Sequence, residues 1–306
     1  MFDPKIFLSE LSAVIRNAVF SIGGTIKGRK VHGNSVNGDP QFGLDEVAEA
    51  AAIDFLRASG LHLALYAEEK GLEFIGGGSG SDGGRSPEFL LILDPIDGTR
   101  PAAAGLEMAT ISAALAPYSA DATLADVQWA ALREFKSGNL LFAAKDDPVV
   151  KADTLSNKRE TRGMFWSFEL SGHPTQWVSR CLGNLLDTTA CAGGVFVFNS
   201  CSYSLSRIAL GQMDAYVDIG NRLLRDYPES EKDFRRVGLG SILHLFPYDL
   251  AAALMIAKKS GVIVTDAYGQ DLGETLLLSG DPLNQRSCIA ACTQELHQEI
   301  MKNIVW

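Results

Sequence analysis

Phe89-Leu90-Leu91-Ile92-Leu93-Asp94-Pro95-Ile96-Asp97-Gly98-Thr99 is the stretch on which the reading of the fold turns. Phe89 to Leu93 is continuously apolar and bounded by turn formers, the pattern of a strand buried on both faces. It delivers Asp94 at its end. Two acids three residues apart at the mouth of such a strand repel one another unless a cation lies between them, although an ordinary Asp-Gly turn accounts for the dipeptide taken alone. Oxygen ligands of this kind suit Mg²⁺, Mn²⁺ or Ca²⁺ rather than zinc. Pro95 fixes the turn so that the Ile96 carbonyl can share the direction of the carboxylates. Gly98 leaves room for a phosphate against the amides at Gly98-Thr99.

Upstream, Leu61 to Tyr66 reads as a short strand with Ala67-Glu68-Glu69-Lys70 at its end, preceded by a helix from Asp45 to Ser59 that Gly60 stops. A first helix carries Ile6, Phe7, Leu11, Val14, Ile15 and Ala18 at helical spacing, and Gly23 to Pro40 reads as a loop or hairpin. Downstream, strands are expected at Thr110 to Ala116, Asp126 to Leu132, Leu140 to Ala143, Gly163 to Phe168 and Val195 to Phe198. Ser202 to Leu210 reads as a helix. Met213 to Ile219 alternates, placing Asp214, Tyr216 and Asp218 on one face of a strand. An apolar helix from Tyr248 to Lys259 opens at Asp249 and ends on Lys258-Lys259 with Gly261 beyond. Strands at Val262 to Thr265 and Cys288 to Ala291 and a closing helix complete the order. Segregated helices and short strands without a βαβ rhythm predict an α+β layered sandwich of two closely packed halves, 1–150 and 151–306.

Composition narrows the function classes. The 306 residues are 46% hydrophobic and 21% charged, an ordinary balance for a chain with a sizeable core. A net charge of −10 argues against nucleic acid and anionic membrane as partners. No apolar run approaches the ~20 residues of a membrane helix, and the first residues lack the pattern of a secretion signal, so a soluble, cytoplasmic protein is expected. The five cysteines form no zinc spacing and read as free thiols. Gly78 to Gly83 matches GxGxxG, but it leads into a strand instead of opening a helix, and a flexible loop is the better reading.

Singly, Glu68-Glu69 is a solvated pair and Asp249 a helix cap. Their joint occurrence with Asp94-Pro95-Ile96-Asp97-Gly98-Thr99, followed by Tyr248-Asp249-Leu250-Ala251-Ala252 and Ser260 to Asp266, resembles the inositol monophosphatase superfamily. Gly211-Gln212-Met213-Asp214-Ala215-Tyr216-Val217 adds to the resemblance, which spans about Asp45 to Leu272. It implies an αβαβα sandwich and Mg²⁺-dependent hydrolysis of a small phosphorylated substrate, with two or three ions and Mn²⁺ as a possible substitute. Glu68, Asp94 and the Ile96 carbonyl are implied for one metal, and Asp94, Asp97 and Asp249 for a second. Thr99, aided by Asp45, is the implied proton partner of the attacking water. Glu69 would support a weaker third ion, the Gly98 and Thr99 amides the phosphate, and Asp218 the substrate hydroxyls. A homodimer is the family expectation.

Two departures bear on the substrate. Arg100-Pro101 stands where the family often has an Asn-Phe pair, and Arg100 also occurs in histidinol-phosphate phosphatase-like members. Between Asp218 and Asp249 the chain inserts Asn221 to Pro247, with Arg222, Arg225, Lys232, Arg235 and Arg236. That insertion reads as a solvated excursion or dimer contact, or as a lid that recognises a second anionic group. A monophosphate of a polyol or sugar is the expected substrate; histidinol phosphate, fructose bisphosphate and phosphoadenosine phosphate share the chemistry. A catalytically weak sugar-phosphate-binding protein is the reading from another class.

Overall fold

The computed structural model describes residues 2–76 and 86–306, so the Gly78 to Gly83 stretch lies outside the described residues. In chain order the elements are α1 (Pro4–Phe20), α2 (Ile26–Arg29), β1 (Val31–Asn34), β2 (Pro40–Phe42), α3 (Gly43–Ala58), β3 (Leu63–Ala67), β4 (Gly71–Ile75) and β5 (Phe89–Asp97). There follow α4 (Thr99–Ala103), β6 (Thr110–Pro117), β7 (Trp129–Glu134), β8 (Leu140–Ala144), β9 (Phe165–Phe168), α5 (Thr175–Thr189), β10 (Gly194–Phe196) and α6 (Cys201–Ala209). The last are β11 (Ala215–Asp218), α7 (Gly220–Asp226), α8 (Glu231–Val237), α9 (Pro247–Lys259), β12 (Ile263–Thr265), β13 (Cys288–Ala291) and α10 (Gln294–Asn303).

Five layers stack. A six-stranded sheet of order β4-β3-β5-β6-β7-β8 carries α1 and α3 on one face and α6 and α9 on the other. A five-stranded sheet of order β10-β9-β11-β13-β12 lies against α6 and α9, with α5 and α10 outside it. The α+β class and its αβαβα layering are therefore present. The six-stranded sheet is built entirely from residues 63–144 and the five-stranded one from residues 165–291, which supports 1–150 and 151–306 as a proposed division. One core joins them: Leu90, Ile92, Trp166, Tyr216 and Leu250 belong to a single buried cluster.

Register places the chemistry. β3 pairs parallel with β5, Ala67 opposite Leu93, so Glu68, just past the end of β3, comes beside Asp94 of β5. Along a regular strand, residues separated by three point to opposite faces. Between Asp94 and Asp97 the register with β6 shifts: Asp94 lies opposite Ser112 and Asp97 opposite Thr110, so three steps on β5 span two on β6. The bulge accommodates Pro95, which has no N–H to give the ladder, and it turns both aspartates to one side.

Several elements differ from expectation. β5 continues through Asp97 instead of ending at Leu93. β4 and α5 fill stretches with no predicted element, β4 pairing antiparallel with β3. The insertion is partly helical, folding as α7 and α8.

A buried ion pair fastens α6 to the six-stranded sheet: Arg207 donates to Glu134, and also to Gln212 at 2.8 Å. Glu134→Gln keeps the shape but leaves the guanidinium facing a neutral partner. The expected loss is about 2 kcal/mol, read as a lower urea midpoint at unchanged slope.

Candidate active site

The N-termini of α4, α6 and α9 and the β5 bulge meet at one cavity, and three of its acids are held by local backbone devices. Asp94 folds back on its own turn, accepting from the Ile96 N–H at 2.9 Å. Asp97 points one oxygen at the start of α6, where the Ser202 N–H donates at 2.6 Å and the Ser202 hydroxyl also donates. Asp249 is the third residue of α9 and reaches back to the Phe246 N–H at 2.7 Å. Asp45 repeats that capping device in α3, taking the Phe42 N–H at 2.8 Å. In each capping case one carboxylate oxygen is used by the backbone and the other is left for something else.

Carboxylate oxygens of Asp94, Asp97 and Asp249 lie within 4.8 Å of one another. Glu68 lines the same cavity outside that trio. Burial raises all four carboxyls; like charges add to it at Asp94 (Asp97, then Asp249), at Glu68 (Asp94, then Glu69) and at Asp249 (Asp97), whereas at Asp97 hydrogen bonds from Ser202 and Ser200 oppose it. Among the described residues, no cation figures among the charges acting most strongly on Asp94, Asp97 or Asp249. Three buried or half-buried carboxylates so arranged fit a bound divalent cation. All the donors are oxygen. Cys201 also lines the cavity, where burial and then its hydrogen bond with Cys288 push its thiol pKa well up, and a soft thiol suits a hard cation poorly.

The turn after the trio is ready for an anion. Gly98 sits at φ +92°, and the first helical bond of α4, Ala102 N–H to Gly98 C=O, leaves the amides before it free of intrahelical partners. The Thr99 hydroxyl donates to the Ile96 carbonyl at 3.0 Å and lies beside the Asp45 carboxylate. The structure thus brings Glu68, Asp94, Ile96, Asp97, Gly98, Thr99, Asp218 and Asp249 onto one cavity. Asp45 and Glu69 stand behind its wall and do not line it.

Burial raises Asp45 from 3.8 to about 7, partly opposed by the Phe42 amide, and burial with the charges of Asp45 and Glu49 raises Glu69 to about 8. Between the ordinary and the raised value the folded chain holds a proton that the unfolded chain has released. Stability must therefore fall as pH rises through that window. In chelator, melting temperature is expected to decline from about pH 4 to about pH 7 on account of Asp45, and Asp45→Asn is expected to flatten part of that slope. Identical slopes for the two proteins in parallel thermal melts would contradict the assignment.

Sequence reading missed several cavity residues. Asp39 binds Arg100 in a two-pronged pair, at 2.9 and 3.4 Å, and both line the cavity with Glu169, Ser171, His173, Ser200 and His244. Ser200 caps α6, its hydroxyl accepting from the Tyr203 N–H at 3.1 Å and donating to the Asp97 carbonyl at 3.2 Å. The insertion corrects its sharper reading: none of Arg222, Arg225, Lys232, Arg235 or Arg236 lines the cavity, which takes Leu243 to Phe246 instead. Arg222 lies 3.6 Å from the Trp306 ring centroid, and Arg235 and Arg236 pair with Glu231 and Asp233.

The description of the inositol monophosphatase family matches residues 8–305. A fructose-1,6-bisphosphatase/inositol-1-monophosphatase of Methanothermobacter thermautotrophicus is 23% identical over 299 residues, 95% of this chain and 92% of that one. A protein of the same name from Archaeoglobus fulgidus is 23% identical over 295 residues, 96% and 95% of the two chains. Among solved structures, an IMPase of Thermotoga maritima superposes with a TM-score of 0.66 at 17% identity, covering 99% of this chain and 96% of that one. The shared architecture is the layered fold just described.

Proposed function

The chain belongs to the inositol monophosphatase family and is a hydrolase of phosphate monoesters, and we propose that it is a Mg²⁺-dependent phosphatase of a small polyol or sugar monophosphate. The observation that carries the metal part of this reading is the trio Asp94, Asp97 and Asp249, its oxygens within 4.8 Å of one another. Such an all-oxygen set suits Mg²⁺, with Mn²⁺ as a substitute. In the proposed arrangement Glu68, Asp94 and the Ile96 carbonyl hold one ion and Asp94, Asp97 and Asp249 a second, with Glu69 supporting a third. When bound, the ions supply Lewis acidity, which lowers the pKa of the attacking water and neutralises charge on the phosphoryl and leaving oxygens.

The chain's own residues do the rest. Gly98 and Thr99 amides orient the phosphate. Thr99 takes the proton of the attacking water and passes its own to Asp45, whose raised pKa of about 7 matches a proton acceptor working near neutrality. Asp218 faces the substrate hydroxyls. Assembly as a homodimer, testable by sedimentation, belongs to the same proposal. Among the described residues no helix is long and apolar enough to cross a membrane.

Phosphate release should be measured with Mg²⁺ over inositol 1-phosphate, histidinol phosphate, fructose 1,6-bisphosphate and phosphoadenosine phosphate. Release from at least one, abolished by chelator, is expected. Release from none would favour a metal-dependent sugar-phosphate-binding protein.

A further inference from the structure

Beyond the acidic trio the cavity continues to a second polar patch, made by Glu169, His173, Asp218 and His244. His173 is 3% exposed, His244 5% and Asp218 0%. The His173 ring is held by the Ser171 carbonyl at 2.6 Å and stands 3.5 Å from Asp218. Yet His173 Nε2, Asp218 Oδ2 and both ring nitrogens of His244 have no hydrogen-bond partner in the protein. A core histidine ordinarily satisfies its nitrogens, and leaving two of them buried and bare is destabilising.

Nothing about this placement is loose. The Gln285 side-chain carbonyl accepts from the His244 backbone N–H at 3.0 Å, and Leu245 exchanges two backbone bonds with Arg286, at 3.2 and 2.9 Å. Phe234 of α8 packs its ring 5.0 Å from that of His244 and 5.9 Å from that of His173. Gly220 is what admits both rings: a Cβ there would lie 2.0 Å from His173 Nε2 and 2.6 Å from His244 Nδ1. The inserted segment therefore delivers an imidazole to the cavity wall and supports it from behind.

We propose that His244, backed by His173 and Gly220, is a specificity-determining residue that hydrogen-bonds hydroxyls on the alcohol half of the ester, and that this end of the cavity takes an uncharged, hydroxyl-bearing skeleton instead of a second phosphate. The inference rests on the phosphatase reading. A neutral imidazole offers one donor and one acceptor, the complement of a hydroxyl group. Burial, and then the charges of His173 and Arg225, hold the His244 pKa well below its ordinary value, so the ring is neutral. Burial alone would lower His173 as well, but Asp218 raises it to about 9, so its charge is already matched. Arg100 is likewise engaged by Asp39. Among the described residues, the two cavity-lining cations are both committed to carboxylates.

His244→Leu and His244→Gln test this by steady-state kinetics with inositol 1-phosphate and with p-nitrophenyl phosphate, which has no hydroxyls. Leucine is of similar size and removes two bare nitrogens, so it is expected to fold with an unchanged or higher melting temperature. It should raise KM for inositol 1-phosphate roughly tenfold with kcat within about twofold, and leave p-nitrophenyl phosphate unaffected. Glutamine, which keeps a donor and an acceptor, should stay within about threefold of the parent. Unchanged KM in the leucine variant, or an equal rise for both esters, overturns the proposal. So does a parental preference for fructose 1,6-bisphosphate over inositol 1-phosphate that the leucine variant retains. No release by the parent from any ester is a different result, which overturns the phosphatase reading and this inference with it.

Discussion

Asp97→Asn is expected to lose at least about a thousandfold in Mg²⁺-dependent phosphate release, some 4 kcal/mol of transition-state stabilisation, while gaining stability in chelator. The sign of each effect follows from hydrogen bonding at the start of α6. The Ser202 N–H and hydroxyl both give to one Asp97 oxygen, so an asparagine must present its carbonyl there. Its NH₂ group then turns toward Asp94 and Asp249, whose oxygens lie within 4.8 Å of the native carboxylate. A donor replaces an acceptor where the proposed cation would sit. Without metal, that amide relieves repulsion among buried acids, and the melting temperature is expected to rise by roughly 2–4 °C for each kcal/mol gained. With saturating Mg²⁺ the order reverses, because only the parent is stabilised by binding. Full activity in the variant, or a parent melt indifferent to Mg²⁺, would overturn the metal assignment.

Gly98→Ala is expected to cost about 3–4 kcal/mol of stability, and any folded fraction should be nearly inactive. At φ +92° an alanine carries the left-handed penalty of about 1–2 kcal/mol. Its Cβ would also lie 2.6 Å from the Met108 carbonyl oxygen, 3.0 Å from Ser200 Cβ and 3.1 Å from Ala109 Cα, and overpacking of that kind adds about 1–3 kcal/mol. Two of these neighbours are backbone at the entrance to β6 and have little freedom to move. The third, Ser200, caps α6 and donates to the Asp97 carbonyl, so yielding there displaces an acid of the trio. Urea titration gives the stability loss. A loss below about 1 kcal/mol with activity intact would show that the turn has room it is not credited with.

How far these sites could be read in the sequence depended on the range of the interactions that make them. The α+β class, most strands and the α9 helix were legible because each is written in local periodicity and punctuation. β4 was not, since Gly71 to Ile75 alternates weakly and owes its pairing to β3. α5 begins after a proline and buries Val178, Cys181, Leu182 and Leu185 at helical spacing, a pattern present in the chain and passed over. At the site, the aspartates and Glu68 stood out through motif spacing. Asp94 and Asp97 were legible as a pair, but the bulge that turns them the same way was not, because it exists only against β6. His173 and His244 are single histidines in unremarkable surroundings, and only tertiary packing leaves their nitrogens bare. The insertion's arginines are conspicuous in sequence, but whether they reach the site is decided by tertiary packing, and none of them lines the cavity.

The position of α9 has a bearing on synthesis. This helix brings Asp249 from late in the chain yet packs across β5, β6, β7 and β8, whose strands were complete long before. A nascent chain stopped short of Pro247 would hold every strand of the six-stranded sheet while one of its apolar faces lacked α9. Such a face is a hazard for aggregation until its late-arriving cover docks. Because the same docking event carries Asp249 to Asp94 and Asp97, acquisition of tight metal binding should coincide with the closing of that face. Cation uptake would then report the docking of α9 during folding.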